Sequence, residues 1–91
     1  MGTALIKIKI MPTSPEINLE EIKEKAKSII EDEKGDRCVF EEEPIAFGLK
    51  AVIVSFEQQE GEGELDEIEK KLGEIKEINS VQVIDIRKAF G

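Results

Sequence analysis

The side chains most able to do chemistry in this chain of 91 residues are its carboxylates, and they come in two runs. Glu41-Glu42-Glu43 is one, and Glu60, Glu62 and Glu64, spaced by Gly61 and Gly63, form the other. Oxygen ligands of this kind suit a hard cation or an acid/base pair. The second run lacks the Asp spacing and the twelve-residue frame of a calcium loop, so both runs read as solvated charge. The chain has no histidine, which removes the commonest general base near neutral pH and the commonest transition-metal ligand. Cys38 is the one cysteine, too few for zinc spacing or an internal disulfide, and consistent with a reducing cytoplasm. No Gly-rich loop is followed by Lys and Ser or Thr, so a nucleoside triphosphate is not held in the usual way. The sequence predicts no catalytic, cofactor-binding or metal-binding residue, and so a function carried by binding.

One stretch is suited to binding. Glu43-Pro44-Ile45-Ala46-Phe47-Gly48-Leu49 is an apolar loop between two strand-like runs, where loops are usually polar. Pro44 restrains the residue before it and cannot donate to a ladder, while Gly48 permits backbone angles closed to other residues, so the segment reads as a shaped turn. Phe47 is then either folded back into the core or held out as a contact, and the residues alone favour the first.

The charge balance narrows the partners. With 13 basic and 21 acidic residues the formal net charge is −8, and nucleic acid draws affinity from excess cations, so direct nucleic-acid binding is not expected. No apolar run reaches the length of a membrane span, and Lys7 and Lys9 interrupt the N-terminal apolar segment. At Met1-Gly2, Ile6 stands where a myristoylation signal wants Ser or Thr, and no prenylation cysteine is present near the end. The expectation is a soluble cytoplasmic domain, residues 1–91, with a thin core.

Alternating patterns place the elements. Ile6, Ile8 and Ile10 alternate with Lys7 and Lys9, the period of a half-buried strand over residues 4–11. Met11-Pro12-Thr13-Ser14-Pro15-Glu16 stops it, because two closely spaced prolines cannot continue a ladder. Asn18 is a good N-cap with Glu21 three residues on for a capping box, Ile17 and Ile22 fit a hydrophobic staple, and Leu19, Ile22, Ala26, Ile29 and Ile30 share one helical face. Lys34-Gly35 is a plausible stop. Residues 36–43 make a charged edge strand with Cys38 and Phe40 on one face, and residues 49–56, apolar on both faces apart from Lys50 and Ser55, make a central one. Residues 57–64 read as an exposed loop. Leu65, Ile68, Leu72 and Ile75 mark a second helix, weakened by Gly73. In residues 80–87, Val81 and Val83 fall on one face and Ile84 and Ile86 on the other, which a bulge near Val83-Ile84 would reconcile.

Strand, helix, strand, strand, helix, strand is the order of the ferredoxin-like α+β sandwich, a βαββαβ chain with a four-stranded antiparallel sheet and two helices on one face. That topology puts the turn around Phe47 and the end of the last strand at opposite ends of the sheet, roughly 27 Å apart for strands of eight residues. They cannot line one small pocket. RNA-recognition modules share this fold, and Ala46-Phe47-Gly48-Leu49 resembles part of their RNP1 segment. The match fails because the leading cation is absent, Leu49 and Val52 replace aromatics, and the chain is acidic. A small-molecule-sensing regulatory domain of the same fold is the alternative in another class.

Three stretches are together similar to the archaeal elongation factor 1-beta family: Ile10 to Glu16, Glu42-Glu43-Pro44-Ile45-Ala46-Phe47-Gly48-Leu49-Lys50-Ala51, and Ile84-Asp85-Ile86-Arg87-Lys88-Ala89-Phe90-Gly91. The resemblance spans the chain. It implies a guanine-nucleotide exchange factor for elongation factor 1-alpha, the GTPase that carries aminoacyl-tRNA to the ribosome, bound in its nucleotide-free or GDP form. It further implies that Phe47 presses on the GTPase from a turn that includes Ile45, Gly48 and Lys50, with Ala46 replacing a family Gly. Eukaryotic members carry a penultimate lysine near the GTPase magnesium site. Here the penultimate residue is Phe90, so the resemblance leaves Lys88 or Arg87 to supply a cation from the C-terminal tail.

Overall fold

Ile6, Ile8 and Ile10 are buried along β1 (Thr3–Pro12) in the computed structural model, which describes residues 2–59 and 65–89. The chain continues through α1 (Leu19–Asp32), β2 (Gly35–Pro44), β3 (Lys50–Gln59), α2 (Leu65–Gly73) and β4 (Ile78–Ala89). The strands form one antiparallel sheet in the order β2-β3-β1-β4. This is the ferredoxin-like α+β sandwich that the order of the elements predicts. The two edges are β2 and β4.

Both helices bury against the same sheet face. Ile22, Ala26 and Ile30 of α1 and Ile68 and Leu72 of α2 join Ile6, Ile8, Ile10, Val52, Val54 and Phe56 in a single apolar cluster. The other face is open. Asn18 caps α1 as expected, but its carboxamide oxygen accepts from Glu20 N at 3.0 Å, one residue earlier than a capping box places the bond. At the far end, Lys34 takes the left-handed conformation (φ 69) that ends the helix. Gly35 has another use. It opens β2 packed so closely on Ile30 and Phe56 that a Cβ there would overlap the Ile30 side chain.

The bulge expected near Val83-Ile84 is present. Ile8 pairs with Val83 and Lys7 with Asp85, so Ile84 is the extra residue. It shifts the alternation: Ile86 returns opposite Ile6 on the helix side, and Asp85 and Arg87 face the open side. The expected split of Val81 and Val83 from Ile84 and Ile86 therefore dissolves.

Two other expectations need correction. The loop expected over residues 57–64 does not begin at Glu57, because β3 continues to Gln59, pairing Glu57 with Leu5 and Asp36. Gln58 is buried there, with Nε2 donating to the Glu33 carbonyl oxygen at 2.7 Å, a bond that makes a polar residue tolerable in the layer. Residues 60–64 of that expected loop lie outside the described residues. Gly73 is the last residue of α2 rather than an interior one, so the mid-helix penalty does not apply, and Ile75 packs on the core from the turn that follows.

Candidate functional site

Between β2 and β3 the chain makes a single 3-10 turn, Ala46–Gly48. Ile45 N donates to the Leu49 carbonyl at 2.7 Å and Leu49 N to the Ala46 carbonyl at 3.3 Å, closing the turn on itself. Two successive residues take left-handed angles, Phe47 at φ 65 and Gly48 at φ 77. Glycine adopts this freely, whereas a bulky L residue is held there at about 1 to 2 kcal/mol. Phe47 is 94% exposed, so it is not folded back into the core. Ile45 and Leu49, which flank the turn, are half-buried, and Lys50, opposite Pro44, is exposed at the start of β3.

The connection between β1 and α1 comes to the same end of the sheet. A Cβ built on Gly48 would lie 4.0 Å from the Pro15 ring, and a notch of about 170 Å³ between the segments is lined by Pro12, Ser14, Pro15, Leu19, Gly48 and Lys50. Thr13 N bonds the Glu77 carbonyl at 3.0 Å, and the Ser14 hydroxyl accepts from Glu16 N at 3.3 Å, so that connection is tied down. Two of the motifs that carry the resemblance thus meet in space. Their sequence separation gives no sign of it, and only the antiparallel pairing of β1 with β3 brings them together.

The cations named for a C-terminal tail are not on a tail. Arg87 and Lys88 belong to β4, opposite Leu5 and Ala4, because β1 extends far enough to pair with both. Arg87 Nε lies 2.9 Å from Asp85 Oδ2. Phe90, named with them, lies outside the described residues. Strands of ten to twelve residues, longer than expected, separate Phe47 from Arg87 by the sheet's length, about 30 Å from the strand rise. The molecule itself is 43 Å long.

Arg87 instead borders a shallow depression of about 340 Å³ on the open sheet face, with Leu5, Lys7, Arg37, Val39 and Asp85. Sequence reasoning missed it. Its residues come from all four strands, and no local motif joins them.

The first acidic run divides between the two sheet faces, as the strand period requires. Glu42 accepts from Lys23 Nζ of α1 at 2.8 Å, while Glu43 on the open face lies 3.4 Å from Lys9 Nζ. The hydrogen bond from Lys23 holds the Glu42 carboxyl below its ordinary value, and the same bond raises Lys23. Burial, then the charge of Glu31, raises the Cys38 thiol, so it is not an activated nucleophile. Among the described residues no helix is long and apolar enough to cross a membrane.

The EF-1 guanine nucleotide exchange domain family matches residues 5–89. Elongation factor 1-beta of Methanocaldococcus jannaschii is 47% identical over 90 residues, covering 98% of this chain and 100% of the relative. Proteins of the same name from Methanosphaera stadtmanae and Methanococcus vannielii are 44% and 41% identical, covering 89% and 94% of the chain and 90% and 97% of those relatives.

Proposed function

This chain belongs to the EF-1 guanine nucleotide exchange domain family, and on that footing we propose that it promotes GDP release from the elongation factor 1-alpha GTPase during polypeptide elongation. The observation that carries the reading is Phe47, an aromatic 94% exposed on one of the stretches similar to the family. A rigid turn that displays a large apolar side chain is suited to a pocket on another protein, where buried aromatics supply much of the binding energy.

Exchange is then linkage between two ligands of one GTPase. A GTPase grips its nucleotide through a phosphate loop and a magnesium ion, and a factor that displaces the segments around them weakens that grip. Whatever factor by which this domain lowers GDP affinity, GDP lowers affinity for the domain by the same factor, so the nucleotide-free GTPase is bound best. The work is done by binding, with no covalent step. A contact at the hairpin and another near Arg87 and Lys88, about 30 Å apart, suit a broad protein interface near 1,600 Å². The net charge of −8 disfavours a direct role for nucleic acid, and translation elongation places the domain in the cytoplasm.

The test is release of fluorescent GDP from elongation factor 1-alpha. Micromolar domain accelerates release well above the intrinsic rate. An unchanged rate ends this reading.

A further inference from the structure

Among the described residues, three other than glycine have positive φ: Lys34, Phe47 and Arg37. Lys34 ends α1, and Phe47 forms the hairpin tip. Arg37, at φ 56, has neither reason. It sits where β2 slips register against β3 between Asp36 and Val39, and Asp36 Oδ1 accepts from Arg37 N at 2.8 Å, holding the distorted segment in place. A bulge of this kind re-aims a side chain, and a strained conformation kept by its surroundings is a mark of function rather than of stability. The side chain it aims borders the depression on the open sheet face.

That depression differs in character from the rest of the surface. Leu5 is 41% exposed and Val39 56%, a pair of apolar side chains left uncovered on neighbouring parts of the face. Lys7, Arg37 and Arg87 outnumber Glu57 and Asp85 around them, on a chain whose formal net charge is −8. The ion pairs inside leave both guanidiniums largely open. Arg37 Nη1 is 3.7 Å from Glu57, Arg87 engages Asp85 through Nε alone at 2.9 Å, and the side chains of both arginines remain 75% exposed. Two guanidiniums with donors to spare, beside uncovered aliphatic carbon, are suited to a carboxylate carried next to an apolar side chain.

We propose that this depression, aimed by Arg37 and bordered by Arg87, is a second docking point for the GTPase, taking an acidic side chain and an adjoining apolar one from its surface. The inference rests on the exchange reading. It supplies the contact at the far end of the sheet from Phe47 with residues of the folded sheet itself. Charge argues for this occupant over a second copy of the chain, because two acidic domains repel while a carboxylate in a locally cationic depression is attracted.

Arg37→Gly tests it cleanly, since glycine takes φ 56 without strain and removes only the side chain. GDP release is followed against domain concentration for the wild type, Arg37→Gly, Arg37→Glu and Val39→Asp, with thermal midpoints for each. The expected result is a half-saturating concentration raised about fivefold or more in Arg37→Gly and further in Arg37→Glu, with the Arg37→Gly midpoint unchanged or higher. A purely structural arginine gives a lower midpoint and an unchanged half-saturating concentration. If the wild type accelerates release and both Arg37 variants match it, the docking point is overturned while the exchange reading stands. If the wild type does not accelerate release, both fall.

Discussion

Gln58 Nε2 donates to the Glu33 carbonyl oxygen at 2.7 Å, so a central strand caps the end of the first helix. Lys71 of α2 reaches the same residue, its Nζ 2.7 Å from Glu33 Oε2, and the two contacts tie three elements at one corner of the sandwich. Gln58→Met keeps the volume and removes the donor, leaving the Glu33 carbonyl without that partner. We expect a loss of about 1 to 2 kcal/mol in urea unfolding with an unchanged m-value. A variant as stable as the wild type would mean that water serves the carbonyl equally well.

Gly35→Ala should be worse than a surface glycine substitution. The added methyl meets the Ile30 side chain directly, with the Ile30 carbonyl oxygen at 3.0 Å and the Phe56 ring at 3.1 Å. Two of these neighbours cannot move cheaply, since one is backbone and the other is a fully buried aromatic. Overpacking of this sort destabilises by about 1 to 3 kcal/mol, which a small domain registers as roughly 4 to 8 °C of Tm per kcal/mol. Gly73→Ala is the control, since nothing lies within 4 Å of the added methyl. Equal midpoints for the two variants would contradict the packing at Gly35.

The pair of Lys23 and Glu42 ties α1 to the edge strand and gives stability a pH dependence. Glu42 is held below 4.5 and Lys23 above 10.5, each chiefly by their mutual hydrogen bond. A depressed carboxylate contributes stability above its unfolded value and loses it as pH falls through its folded value. A raised lysine contributes below its unfolded value and loses stability as pH rises through its folded value. Lys23→Met should therefore melt below the wild type near neutral pH, with the gap closing in acid below the unfolded carboxylate value. A gap that is constant from about pH 3 to about pH 7 would assign the loss to packing of the lysine stem.

The fold was readable because each element announces itself locally. Ile6, Ile8 and Ile10 mark β1, Asn18 marks the start of α1, and the clash of parity between Val83 and Ile84 marks a bulge that exists. The misreadings have one source, since pairing partners are not visible in a single strand. Glu57 to Gln59 looks like loop until Leu5, Ala4 and Thr3 are placed opposite it, and Lys88 looks like tail until β1 takes it up beyond Arg87. The candidate site divides the same way. Phe47 and its turn lie in seven consecutive residues, whereas the depression of Leu5, Arg37, Val39 and Arg87 exists only once all four strands are side by side. The left-handed angle at Arg37 leaves no trace in composition at all.

Phe47 separates contact from core in one experiment. Its side chain is 94% exposed and its backbone is left-handed, so truncation removes little buried surface. Phe47→Ala should hold stability within about 0.5 kcal/mol of the wild type, and Phe47→Gly should stabilise by up to about 1 kcal/mol, because glycine relieves the positive φ. An aromatic hot spot truncated to alanine loses about 2 kcal/mol or more, so catalysed GDP release at limiting domain should slow by roughly thirtyfold in both variants. Phe47→Leu, which keeps apolar bulk, should fall between. If Phe47→Ala unfolds, the side chain is core in solution despite its exposure here, and if all three variants exchange like the wild type, the turn makes no contact that matters for release.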